Sequence, residues 1–172
     1  MTIFRRMLYT ACIVRLFDYY TAVSLRREPF YLLPQEAMMS SNANKDVITR
    51  FITEIWNGNN LKALDTFLDP AYYDYTYEPR NREGLERALL LMQTAFPGHE
   101  TIIEEIVSEG DTVAVCLTLR GTHAGPFRGL PASGKPIEIG GYRFYKVSDG
   151  KITSHRGLID LPSLLQQIST ND

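Results

Sequence analysis

Apolar residues recur at two different periods along this chain, and the change from one to the other divides it. From Asn44 onward, Val47, Ile48, Phe51, Ile52, Ile55 and Trp56 fall at helical spacing and form one wide apolar stripe, with Gly58 as a left-handed stop. Asn60 opens a second short helix that turns Leu61, Leu64, Phe67 and Leu68 inward and ends at Asp69-Pro70. The tyrosine-rich AYYDYTYEP reads as strand or loop, and a third helix runs from about Glu83 to Phe96, closed by Pro97-Gly98. After Pro97 the apolar positions alternate, which predicts strands over 100–107, 112–123, 137–147 and 151–159. Turns at Glu109-Gly110-Asp111 and Ser148-Asp149-Gly150 join neighbours, GPFRGLPASGKP is a loop, and a last helix covers 161–167. Three helices, consecutive hairpin strands and a terminal helix predict an α+β domain, one curved antiparallel sheet wrapped on helices.

The start of the chain is different in kind. Residues 1–39 carry five arginines among short apolar clusters, and Arg15 and Asp18 interrupt a run too short to span a bilayer. Three readings stand: an amphipathic leader that meets a membrane surface or an importer, a start of translation at Met38 or Met39, or a floppy tail. The folded domain is therefore expected over 40–172, without a stable membrane span, and cytoplasmic location is the default.

Composition narrows the partners. The 172 residues suit one domain with a real core. Eighteen basic against 20 acidic side chains leave no electrostatic footprint for nucleic acid. Cys12 and Cys116 are far apart and the three histidines are unpaired, so no metal site is expected; Cys116 reads as a small core residue and His99 as solvent-facing. Ten tyrosines and eight phenylalanines suit an apolar pocket with hydroxyl handles, hence a small-molecule partner.

Four residues carry candidate chemistry. His155 can exchange a proton near neutral pH, but Ile152 and Leu158 have the opposite parity to His155, Gly157 and Ile159, so the alternation leaves its face open. Asp160 is either a base with a raised pKa beside an apolar cavity or the N-cap of the last helix. His123 shares parity with Val113, Val115, Leu117 and Leu119; it can donate to a substrate carbonyl, or serve structurally against the following loop. Arg143 shares parity with Ile137, Ile139, Tyr145 and Val147, so a guanidinium enters an apolar face and needs Asp74, Asp160, or an anionic or carbonyl-bearing ligand. Tyr73, Tyr75 and Tyr77 alternate with Asp74 as a pocket wall or a core seam, and helical spacing puts Trp56 in the core under the sheet. Tyr73, Asp74, Tyr75, Trp56, Tyr145 and Gly157 form the candidate substrate-binding set.

The segments TEIWNGNNLKALDTFLDPAY, GTHAGPFRGLPASGKPIEIGGYRFYKVSDGKI and SHRGLIDLPSLLQQ resemble the SnoaL-like proteins, the ester cyclase group of polyketide cyclases, over about residues 42–170. That resemblance implies the cone-shaped α+β barrel shared with nuclear transport factor two, scytalone dehydratase and ketosteroid isomerase. It also implies cofactor-free aldol closure of a small carbonyl-bearing or aromatic ligand in an apolar cavity. A homodimer or higher homo-oligomer is expected, and in the binding-module alternative the open sheet face is the dimer surface. In the family the acid/base is an aspartate directly after a His-Arg pair; here Gly157 follows His155-Arg156, and the nearest carboxylate is Asp160. The favoured expectation is a lyase or isomerase using His155, Asp160, Arg143 and His123. The alternatives are a non-catalytic binding or dimerisation module, and a hydrolase or dehydratase using an Arg-Asp pair.

Overall fold

The computed structural model describes residues 35–169, with side chains from Ser41 onward. Residues 1–34, and with them most of the segment read as an extension, lie outside the described residues. Helix α1, Gln35–Phe51, continues into a π-helical turn, Ile52–Asn57. Its predicted stripe is the core: Ile48, Phe51, Ile52, Ile55 and Trp56 are all buried. The stop differs from expectation, because Gly58 is right-handed at φ −83° and the left-handed residue is Asn59 at φ 50°. Glycine is needed at 58 because a Cβ there would lie 2.6 Å from the Glu54 carbonyl oxygen.

A 3-10 turn, Leu61–Ala63, leads into α2, Leu64–Phe67, and then directly into β1, Leu68–Asp74. The Asn60 side chain makes no capping bond. Helix α3 spans Arg82–Ala95, capped by Asn81, whose side chain accepts from the Glu83 and Gly84 amides. Strands β2 (Glu100–Glu109), β3 (Thr112–Thr122), β4 (Pro136–Ser148) and β5 (Lys151–Ile159) follow, and α4 (Leu161–Ile168) ends the domain.

The five strands make one sheet in the order β1-β5-β4-β3-β2. Four are antiparallel as expected, but β1 pairs parallel with β5, so the sheet is mixed. Most of the domain separates these two strands in sequence, which leaves either direction open to the chain. Pro70 is tolerated because β1 is an edge. The inner face, with alternate residues of β4 buried from Ile137 to Val147, packs on α1 and α3, and this core carries most of the apolar burial.

Two side chains sit elsewhere than the pattern suggests. His99 is buried, not solvent-facing: its ring nitrogen Nδ1 lies 3.0 Å from the Phe96 carbonyl, and Gly121 packs against it. Cys116 lies between the buried Val115 and Leu117, hence on the outer face, and is half-buried. No helix among the described residues is long and apolar enough to cross a membrane, and no cluster among them could hold a metal ion.

Candidate functional site

A break in strand alternation assembles the site. Between Lys146↔Ser154 and Val147↔Ile152 the β4–β5 register shifts by one residue, a bulge at Thr153. The extra residue puts Ile152 and His155 on the same inner face, both buried, and leaves Leu158 outside at 73% exposure. The parity conflict of the sequence is thereby resolved. His155 now lies in one register row with Asp74 of β1 and Tyr145 of β4; Gly157 faces Arg143 in the next.

Asp74 is wholly buried and accepts from four donors. Tyr72 Oη is 2.5 Å from Oδ2 and His155 Nδ1 is 3.2 Å from it, while the Thr76 and Tyr77 amides bond Oδ1 at 2.7 and 3.0 Å. The two amide bonds turn the chain after β1 and bring Tyr77 over the imidazole, ring centroids 5.7 Å apart. Burial alone would raise the Asp74 pKa, but the bonds from His155 and Tyr72 bring it below the ordinary carboxylate range. An ionised carboxylate only accepts, so the His155 proton belongs on Nδ1 and Nε2 carries the lone pair.

His155 is 2% exposed, and its pKa is lowered, chiefly by burial and further by the Arg143 charge, against the opposing pull of Asp74. Its Nε2 has no hydrogen-bond partner among the described residues. It faces Gly157: a Cβ at that position would come within 2.9 Å of Nε2. The imidazole therefore uses the volume that a side chain at 157 would need.

Arg143 is 5% exposed and forms no ion pair among the described residues. Neither expected carboxylate reaches it, since Asp74 is committed to His155 and Tyr72, and Asp160 is on the surface. Its guanidinium instead lies 3.6 Å over the Trp56 ring, presented by the π-helical turn, and its Nη1 is unpartnered. The Tyr145 hydroxyl is beside the guanidinium, where the pair misses good hydrogen-bond geometry. Burial raises the pKa of Tyr145, and Arg143 opposes that rise.

Arg143, Gly157 and Tyr77 line a cavity of about 450 Å³ whose remaining wall is largely apolar, including Met92, Phe127 and Ile159. His155 stands directly behind Gly157. A larger depression of about 630 Å³, around Asp65, Arg82 and Lys151, is crossed by the exposed Arg82–Asp65 and Arg82–Glu86 ion pairs. The 450 Å³ cavity is the better candidate because Arg143, buried and with an unpartnered Nη1, lines it and the His155 imidazole stands behind its Gly157 wall.

Other sequence candidates lie elsewhere. Asp160 caps α4, accepting from the Ser163 amide at 3.1 Å and hydroxyl at 2.6 Å; these bonds lower its pKa, opposite to the rise expected of a base. His123 is fully buried, packs on Phe96 and bonds Ser133 through Nδ1, without lining the cavity. Tyr73 and Tyr75 pair with each other on the outer face, 4.7 Å between centroids, because Tyr72 and Asp74 take the inner positions. Tyr72, which steadies Asp74, escaped the sequence reading; its shared parity with Asp74 was the available signal.

Acid should weaken the fold through this site. Burial is the first cause of the lowered pKa of both His155 and His99, so the unfolded chain takes up their protons at higher pH than the folded one. Their contribution is full above the unfolded pKa of about 6.5 and is lost as pH falls through the folded values. Melting temperatures measured from pH 7.5 down to 5 are expected to fall below about pH 6.5, and less steeply in His155→Gln. Equal slopes in the two proteins would contradict this.

The chain has relatives of known family. Residues 46–168 match the family model of the SnoaL-like polyketide cyclases. The aklanonic acid methyl ester cyclase of Streptomyces sp. strain C5 is 31% identical over 107 residues, 61% of this chain and 66% of the relative. The corresponding enzyme of Streptomyces peucetius is 31% identical over 104 residues, 59% of this chain and 71% of the relative. A solved structure from Jannaschia sp. CCS1, assigned to the SnoaL-like polyketide cyclases, superposes with a TM-score of 0.70 at 23% identity, covering 77% of this chain and 95% of its own. The family-model match over residues 46–168, most of the chain, together with the shared fold, makes this chain a member of the SnoaL-like polyketide cyclase family.

Proposed function

We propose that this protein is a cofactor-free acid/base cyclase in which His155, oriented by Asp74, takes the place of the family's aspartate. The observation that carries the reading is the Asp74–His155 pair, which turns an unprotonated Nε2 toward Gly157, a wall residue of the cavity that Arg143 lines without a carboxylate partner. A substrate carbon flanked by carbonyls loses its proton to Nε2, directly or through one water. The electron pair moves onto the carbonyl oxygen, where the Arg143 charge and the Tyr145 hydroxyl stabilise it. The enolate carbon then bonds to a second carbonyl of the same molecule, and the resulting alkoxide takes the proton back from His155. Relatives named as cyclases of aklanonic acid methyl ester support a polyketide as the substrate class.

Incubating the protein in heavy water with β-keto esters and 1,3-diketones tests the chemistry. Deuterium uptake at the acidic carbon above the buffer rate is expected. No uptake with any of them, and no change in melting temperature on their addition, would leave the binding-module reading instead.

A second reading concerns assembly. The outer sheet face is apolar across its middle: Tyr142 of β4 registers with Leu158 of β5, next to Phe144, and all three are more than half exposed. A face of this kind suits self-association. Light scattering is expected to give a dimer for the wild type and a monomer for Phe144→Glu; the same mass for both would remove the sheet face as the interface.

A further inference from the structure

The cavity rim contains a residue in a conformation that side chains adopt reluctantly. Phe127 and Leu130 exchange backbone hydrogen bonds of 3.0 and 2.9 Å around a two-residue turn. Its central residues, Arg128 and Gly129, have φ of 49° and 83°. Such a turn favours Asn-Gly or Gly-Gly, so arginine occupies a position that asparagine would hold more easily. Backbone strain of this sort gathers at ligand clamps.

The charges around Arg128 sharpen its role. Glu78 is bonded to Arg80 at 2.8 Å, and Arg87 to Glu83, so the rim's other charges already have partners. Arg128 is exposed, lines the cavity and makes no ion pair among the described residues. Inside the cavity, Arg143 is a second cation without a carboxylate, its Nη1 buried and unpartnered. Apolar side chains, Leu91, Met92 and Phe127 among them, make up the rest of the wall. Three guanidiniums thus line a largely apolar cavity, and two of them, Arg128 and Arg143, have no carboxylate partner among the described residues.

We infer that the substrate carries a free carboxylate, which Arg128 binds at the rim while the enolisable carbonyl rests on Arg143. This deepens the proposed acid/base reading of the same cavity: the placement of the enolisable carbonyl rests on that reading, and the carboxylate contact at the rim is tested separately. A guanidinium matches a carboxylate through two parallel N–H···O bonds, and an ester at the same position offers neither the charge nor the second strong acceptor. The cavity would therefore sort acids from their esters at its mouth, away from the reacting carbon, a preference that sets its polyketide apart from the methyl ester for which the two relatives are named.

The test uses the full chain with 6-acetyl-2-naphthoate and its methyl ester, a planar ketone with and without the anion, titrated calorimetrically at low salt. The wild type is expected to bind the acid about tenfold more tightly than the ester. In Arg128→Asn the acid should fall to the affinity of the ester, with the ester unchanged. The melting temperature should hold or rise, because asparagine suits the turn. Equal affinities in the wild type overturn the inference, as does an acid preference that survives Arg128→Asn. A preference lost in Arg143→Met but kept in Arg128→Asn also overturns it, by placing the carboxylate inside. Deuterium uptake at the acidic carbon of a β-keto ester, read on the same protein preparations, separates this from the acid/base reading: sorting without uptake sinks only the latter.

Discussion

His155→Ala is expected to slow deuterium uptake by about 10²- to 10⁴-fold, the usual contribution of a positioned general base. The size of the effect follows from the tautomer. Asp74 is ionised and buried, so it accepts the Nδ1 proton and leaves Nε2 as the unprotonated nitrogen of that ring, turned toward Gly157. Asp74→Asn separates this role from simple bulk: an amide can donate to Nδ1 and so favour the Nε2–H form, which has no lone pair for the substrate. Uptake in Asp74→Asn should fall by a comparable factor, with the imidazole still present. Undiminished uptake in His155→Ala would remove the imidazole from the mechanism. Asp74→Asn also disturbs four hydrogen bonds, so near-UV circular dichroism must first show a native fold. The lowered His155 pKa adds a signature: wild-type kcat/KM should decline on the acid side with an apparent pKa below 6.5.

Arg143→Met should separate stability from activity. Loss of one preorganised charge at the developing oxyanion is expected to reduce uptake by about 10²- to 10³-fold. The same substitution removes a buried cation that has no carboxylate, whose desolvation costs several kcal/mol. The stacking on Trp56 that is lost with it offsets about 2 kcal/mol. The melting temperature should accordingly stay level or rise. A marked drop in melting temperature with uptake intact would make Arg143 a structural cation and exclude it from the chemistry.

Gly157 connects these two residues. The resemblance leads one to expect an aspartate directly after His155-Arg156, but a Cβ there would lie 2.9 Å from Nε2 and 3.6 Å from the Arg143 side chain. Glycine and the inward imidazole are therefore one arrangement, and the absence of the aspartate does not by itself empty the site of a base.

Periodicity alone determined most of the elements. The stripe from Ile48 to Trp56 is buried, the alternation of Val113, Val115, Leu117 and Leu119 faces inward, and the turn at Asp149-Gly150 is left-handed at both residues. These features are local: a helix or strand repeats its faces every few residues, so burial leaves its imprint on the sequence. The entry of Arg143 into an apolar face was equally legible, because a charge among Ile137, Ile139 and Tyr145 breaks that imprint. Only the tertiary structure decided what surrounds it. A single extra residue at Thr153 reverses parity within β5, and no local pattern announces a bulge. The pairing of Asp74 with His155 spans 81 positions and depends on a parallel register between two strands that alternation cannot orient. Asp160 shows the converse: the sequence offered both a cap and a base, and exposure together with two bonds from Ser163 selects the cap. Chemistry in this chain depends on which distant side chains share a row of the sheet, and that row is set by register.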